Sequence, residues 1–210
     1  MQLLLADDFF FTAHDDTTGR IRLSEGRAGL GLGGALLGEL LLLGSIDIER
    51  RAIVVRDAHP PEDSLARAVL EQLIRDESVT TVRDWLHYLG QDAYEQVAQR
   101  LLRAGHVRAT QTRKMLRTQV VYLPVDINVA AWPAARLATR LSKREPLSTA
   151  DVVLSGLIAA TELEAQVFQY DSADIGRYLR QLLTTLPSPL RALLSETEAA
   201  VGDAVLSHRR

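Results

Sequence analysis

Between Gly29 and Leu40 the chain reads Gly-Leu-Gly-Leu-Gly-Gly-Ala-Leu-Leu-Gly-Glu-Leu, and this glycine-rich apolar run constrains the fold more than any other stretch. Three architectures compete for it: a dinucleotide-binding turn, a membrane span, and a helix packed inside a globule. Gly29, Gly31 and Gly34 satisfy G-x-G-x-x-G, with Asp47 and Glu49 downstream where a ribose ligand is expected. That fingerprint needs a buried strand leading straight into the first glycine. Here Arg20-Ile21-Arg22-Leu23 alternates polar and apolar residues and is separated from Gly29 by Ser24 to Ala28. A nucleotide-using enzyme built on Gly29 to Gly34 is therefore the minor reading. From Ala28 to Ile46 the run is long enough to cross a bilayer, but Glu39 falls mid-segment, where a carboxylate costs about 2.5 kcal/mol or more. A buried helix, whose glycines let neighbouring backbones approach, accounts for the segment best.

With 210 residues, 47% of them hydrophobic, the chain is expected to form a single domain over 1–210 with a substantial core. The absence of cysteine excludes disulfides, thiolate zinc sites and cysteine nucleophiles. No secretory leader pattern opens the chain, so a cytoplasmic location is expected. A formal charge of −3 has the wrong sign for a general nucleic-acid binder, so no nucleic-acid partner is expected and any anion site must be local.

Residues able to carry catalysis are scattered. His14, His59, His87, His106 and His208 show no ligand spacing and read as structural or solvated, so no metal is expected. Asp7-Asp8 and Asp15-Asp16 are paired carboxylates without calcium-loop spacing, and read as turn or helix-start residues. No nucleophile elbow or P-loop is present. No catalytic residue and no cofactor are assigned.

Hydrophobic periodicity predicts a mostly α-helical single globular domain with short β-hairpins, one of them protruding. Leu3 to Phe11 is an apolar helix or strand ending in the turn His14 to Gly19, followed by the short alternating segment Arg20 to Leu23. Ile46 to Ile48 and Ile53 to Val55 form a small hairpin. Helical stripes run through Leu65 to Ile74, Val82 to Leu89 and Tyr94 to Leu102, the last stopped by Gly105. His106 to Thr110 and Gln119 to Leu123 are expected strands around Arg113-Lys114-Met115-Leu116-Arg117, a basic and apolar tip. Helices follow at Ala135 to Leu141, after a capping start at Ser148 to Asp151, at Ser172 to Leu186, and at Leu190 to Leu206.

The order of these elements resembles the Golgi phosphoprotein 3 family, including its bacterial members, over most of the chain. The matching landmarks are Leu3-Leu4-Leu5 with Asp7-Asp8, the glycine-rich helix ending Glu39 to Ile46, and Ser64 to Leu73. They continue with Thr81 to Leu86, Leu101 to Val107, and Leu154 to Phe168. The resemblance implies a non-enzymatic protein at the membrane periphery that binds phosphatidylinositol 4-phosphate or another anionic lipid headgroup and scaffolds client proteins. It also implies a hairpin used for membrane contact and self-association. The headgroup pocket of the relatives uses a tryptophan before the glycine-rich helix, an arginine within it and two arginines on a later helix. Those positions fall near Ser24, Gly33, Gln91 and Tyr94, and none of the four matches.

The lipid-contact candidates are accordingly the basic residues that remain: Arg113, Lys114 and Arg117 at the hairpin tip, with Arg20, Arg22 and Arg27 as additions to the same face. Met115, Leu116, Val120, Val121 and Tyr122 are the expected oligomer contacts of the hairpin, making a homo-oligomer the expected assembly. The alternative is a soluble oligomeric adaptor with no lipid ligand.

Overall fold

The structure, a computed structural model, describes residues 3–76, 78–114, 117–168 and 173–207. In chain order its elements are α1 (Leu5–Thr12), α2 (Glu25–Leu43), β1 (Ile46–Glu49), β2 (Ala52–Val55), α3 (Ser64–Arg75), α4 (Val82–Gly90) and α5 (Ala93–Arg103). There follow β3 (Val107–Lys114), β4 (Arg117–Pro124), α6 (Ile127–Lys143), α7 (Thr149–Ala160), α8 (Glu164–Phe168), α9 (Ala173–Thr184) and α10 (Ser188–Ser207). The strands form two separate antiparallel pairs, β1 with β2 and β3 with β4.

The glycine-rich run is the axis of the molecule. Ser24 caps α2 by accepting from the Arg27 backbone N–H, and every residue from Ala28 to Leu40 is buried. Around it pack α1, α4, α5, α7 and α10. Such crowding requires positions without side chains. A Cβ at Gly29 would lie 2.2 Å from the carbonyl oxygen of Gly90, so α2 and α4 touch backbone to backbone at that point. No strand runs into Gly29, and among the described residues there is no parallel sheet, so the dinucleotide-binding turn is absent. The helix is long and apolar enough to span a membrane, yet 72% of its apolar window is buried inside the protein.

Of the neighbours of α2, α3, α4 and α5 are amphipathic while α1 and α7 are buried almost all round, and several of their starts are written in the sequence. Asp63 accepts from the N–H groups of Leu65 and Ala66 to open α3, Thr81 from Asp84 to open α4, and Ser148 from Asp151 to open α7. Their inward stripes bring Leu70, Trp85, Leu86 and Leu101 into the core beside Phe9 and Phe10 of α1. Each such side chain contributes about 1.5–3 kcal/mol on leaving water.

Three segments differ from the sequence reading. Arg20 to Leu23 is not a strand; Ile21 makes only an isolated bridge to His14, because the loop folds on itself through Asp15 N–H to Arg20 O and Arg22 N–H to Ala13 O. α6 begins at Ile127, two turns before the expected Ala135. Asp126 caps it by accepting from Asn128 N–H, and Pro133 is tolerated inside the helix at the loss of one backbone bond. The strands of the second hairpin are also longer than expected, reaching Lys114 on one side and Arg117 on the other.

Candidate functional site

The β3–β4 ladder pairs Val107 with Pro124 at its foot and Lys114 with Arg117 at its far end. Arg113 pairs with Thr118, so the three basic positions occupy the last two rungs. Eight residues of strand carry them roughly 25 Å from the foot. The apolar pair between them, Met115 and Leu116, lies outside the described residues. At the foot the hairpin is fastened inward. Val107 and Tyr122 are buried, and the Tyr122 hydroxyl donates to Glu95 Oε1 at 2.7 Å and accepts from Gln99 Nε2 at 3.1 Å. The Tyr122 ring meets Tyr94 edge-on, 6.2 Å between centroids. Of the expected oligomer contacts on β4, Tyr122 therefore serves as the anchor to α5, Val121 is half-buried, and Val120 is 44% exposed.

The other three expected cations have separate surroundings. Gly19, at φ +63, sits so tightly on β4 that a Cβ there would lie 2.6 Å from Tyr122 O. This clamps the loop carrying exposed Arg20 against the hairpin, about five residues, or roughly 17 Å, from the tip. Arg22 is half-buried with Nη1 3.4 Å from the carbonyl of Gln166. Arg27 pairs with Glu162 at 2.8 Å. The structure therefore groups Arg113, Lys114 and Arg117 and leaves Arg20, Arg22 and Arg27 apart from them.

The most concentrated electrostatics lie elsewhere, at α1, where Asp7 and Asp8 stand in the first turn as helix-start residues, Asp7 accepting from Leu4 N–H at 3.0 Å, and are also buried. Arg100 of α5 donates through Nε to Asp7 at 2.9 Å, through Nη2 to Glu39 Oε1 at 2.9 Å, and through Nη1 to Glu39 Oε2 at 3.0 Å and Asp63 at 3.1 Å. Ala6 N–H also donates to Glu39, at 2.8 Å. Burial pushes the Asp7 and Glu39 carboxyls above their usual range, against the pull of the guanidinium. Arg136 of α6 is shared in the same way by Asp8 Oδ2, at 2.8 Å, and Asp151 Oδ1, at 2.7 Å. Burial raises Asp8 to about 6 despite the hydrogen bond from Arg136. These two arginines tie α1 to α2, α3, α5, α6 and α7. The sequence signal for them was present. Glu39 in an apolar helix and Asp7-Asp8 in an apolar run each require a buried cation, and Arg100 stands on the apolar stripe of α5 between Val97 and Leu101.

His14, read as structural or solvated, is a buried neutral imidazole. Its Nδ1 lies 2.6 Å from the Phe10 carbonyl and must donate to it, which leaves Nε2 unprotonated and without a partner. Burial lowers its pKa to about 4.

At the four positions where relatives hold a lipid headgroup, the structure shows packing roles. Ser24 caps α2, and Gln91 ends α4. Tyr94 packs between His14 and Tyr122. A Cβ on Gly33 would meet Leu86 O at 3.3 Å and Gly90 N at 3.4 Å, so this position is packed closely against α4. Among the described residues no three His, Asp or Glu side chains converge as metal ligands.

No curated protein matches the chain. The family model for Golgi phosphoprotein 3 (GPP34) matches residues 5–205, which takes in every element from α1 to α10 but for the last residues of the final helix. The buried glycine-rich axis, the surrounding helices and the attached hairpin are thus those of a recognised fold family: the chain belongs to the Golgi phosphoprotein 3 (GPP34) family.

Proposed function

We propose that this chain is a non-enzymatic, cytoplasmic peripheral membrane protein that meets anionic lipid through the far end of its β3–β4 hairpin and presents its helical body to partner proteins. The observation that carries the reading is the ladder register, which collects Arg113, Lys114 and Arg117 on the last two rungs of the ribbon, at the opposite end from the foot where Val107 and Tyr122 are buried. Each basic residue near an anionic leaflet contributes about 1 kcal/mol, so three give reversible, salt-sensitive docking. General attraction to negative surface, rather than recognition of one phosphoinositide, is the ligand class proposed, because Gly33 is closed against α4 and no arginine stands at Ser24, Gln91 or Tyr94.

Co-sedimentation with anionic vesicles at low salt tests this. The wild-type chain is expected in the pellet, and the double variant Arg113→Glu, Arg117→Glu in the supernatant. A chain that stays in solution with both phosphatidylglycerol and phosphatidylinositol 4-phosphate vesicles would sink the lipid reading. The closed Gly33 position favours one alternative, a soluble adaptor without lipid ligand. Recovery of a defined partner that depends on the hairpin and not on vesicles would select it.

A further inference from the structure

The foot of the β3–β4 ribbon is held on both faces. Successive side chains of a strand leave opposite faces, so Tyr122 projects from one side of β4 while Val121 and Leu123 project from the other. On the first side the Tyr122 hydroxyl is fixed by Glu95 and Gln99 of α5, and its ring meets Tyr94. On the second side stands the loop between α1 and α2. A Cβ at Gly19 would lie 2.6 Å from Tyr122 O, 3.0 Å from Leu123 Cδ2 and 3.1 Å from Val121 Cγ1, so the loop backbone lies against both side chains and the strand itself.

This loop is tied together from within. Asp15 N–H donates to Arg20 O, and Asp15 O accepts from Gly19 N–H, each at 2.8 Å. The Asp15 carboxylate accepts from Thr18 N–H and Thr18 Oγ1, both at 2.8 Å, and from Thr17 N–H at 3.2 Å. At the base, Arg22 N–H donates to Ala13 O at 2.8 Å, and His14 pairs with Ile21 in an isolated bridge. Ala13 and His14 are buried where α1 ends, which fixes the base of the loop to the core. Gly19 adopts φ +63, which glycine takes without strain, and its missing side chain is what lets the loop come this close to β4. A ribbon held on one face alone is free to pivot about its foot. A swing of about 10° there carries an end roughly 25 Å away through about 4 Å. The loop on the second face removes that freedom.

We propose that the α1–α2 loop is a strap that fixes the angle of the hairpin to the helical body, with Gly19 as its positioning residue. The strap does not depend on what the hairpin meets. Its consequence for docking rests on the reading that Arg113, Lys114 and Arg117 meet anionic lipid. Held by the strap, the three cations keep one orientation to the body, so docking does not first have to order the ribbon. Loosening the strap therefore lowers lipid affinity without any change in charge.

The chain has no cysteine, so a pair can be introduced for spin labels without background. Gln111→Cys on β3 and Glu71→Cys on α3 use exposed positions. Double electron–electron resonance between them should give one narrow distance distribution. Gly19→Ala should broaden or shift that distribution and weaken binding to phosphatidylglycerol vesicles roughly tenfold, with the salt dependence unchanged because the cations are unchanged. Gly44→Ala is the control. Gly44 also has positive φ, +75, but nothing lies within 4 Å of its Cβ, so the variant adds backbone strain without the contact and should match wild type in both measurements. Asp15→Ala removes the side-chain bonds inside the loop, should act in the same direction as Gly19→Ala, and decides the matter if Gly19→Ala does not fold. Distance distributions that stay narrow and unshifted in both loop variants overturn the strap. A broadened distribution with undiminished lipid affinity overturns its part in docking. A wild-type chain that binds no vesicles, yet loses its narrow distance in Gly19→Ala, upholds the strap and sinks the lipid reading instead.

Discussion

Asp8, midway along α1, and His14, just beyond its C-terminal end, titrate over the same pH range with opposite consequences. Burial raises Asp8 from 3.8 to about 6, so the native state holds that proton more tightly than the unfolded chain does. Its contribution to stability is complete below about pH 4 and is lost as pH rises through 6. Burial lowers His14 from 6.5 to about 4, so its native state resists protonation, and stability is lost as pH falls from 6.5 toward 4. Each effect is on the order of 3 kcal/mol, and in the wild-type protein they largely offset one another. Removing one should expose the other. Stability of Asp8→Asn, read from urea midpoints across about pH 4 to pH 7, should climb more steeply with pH than that of wild type, and His14→Asn should show the reverse. Three parallel curves would mean that neither group titrates as its burial requires. At this scale the sequence was legible only in part. Glu39 is visibly out of place in an apolar helix, but its partner Arg100 is 61 residues away, and only the fold brings them together. His14 gives no signal at all, since a histidine after an apolar run has the same spacing whether it is buried or solvated.

Among elements, the contact between α2 and α4 is the tightest constraint and the easiest to break. Gly26 and Gly29 stand three residues apart, just under one turn of α2, yet a Cβ at Gly29 meets the Gly90 carbonyl at 2.2 Å while one at Gly26 meets nothing within 4 Å. Gly29→Ala must therefore push two core helices apart, at a cost of about 1–3 kcal/mol or more. Gly26→Ala adds only helix propensity and should stabilise by up to about 1 kcal/mol. Urea denaturation of the two variants checks the pair, and equal midpoints would show that α2 and α4 do not meet as described. The buried helix itself was readable from Gly29 to Leu40, because an apolar run with glycines and one carboxylate fits neither a bilayer nor a nucleotide turn. The first two turns of α6 were not readable. Pro133 looks like a boundary in a linear sequence, and only the Asp126 cap and the packing of Ala130 and Leu137 hold the helix together across it.

For the whole molecule, most of the apolar surface is enclosed, and four of the exceptions follow one another along the chain from β4 into α6. Val120 on β4, Val125 and Ile127 just beyond it, and Trp132 on α6 are 44%, 61%, 54% and 57% exposed. A two-stranded ribbon has an unpaired edge on each side and is marginally stable alone, so β3 and β4 offer both backbone donors and apolar side chains to another copy of the chain. Working against this are the like charges of Arg113, Lys114 and Arg117, which bring cations together when two hairpins pair. Association should therefore strengthen as salt screens those charges, the opposite of the salt response expected for docking on anionic vesicles. Light scattering at tens of micromolar should show a species larger than a monomer, increasing with ionic strength, and Val120→Lys should shift it back to the monomer. A monomer at every salt concentration would remove self-association from the account and leave the hairpin to lipid or to a different protein.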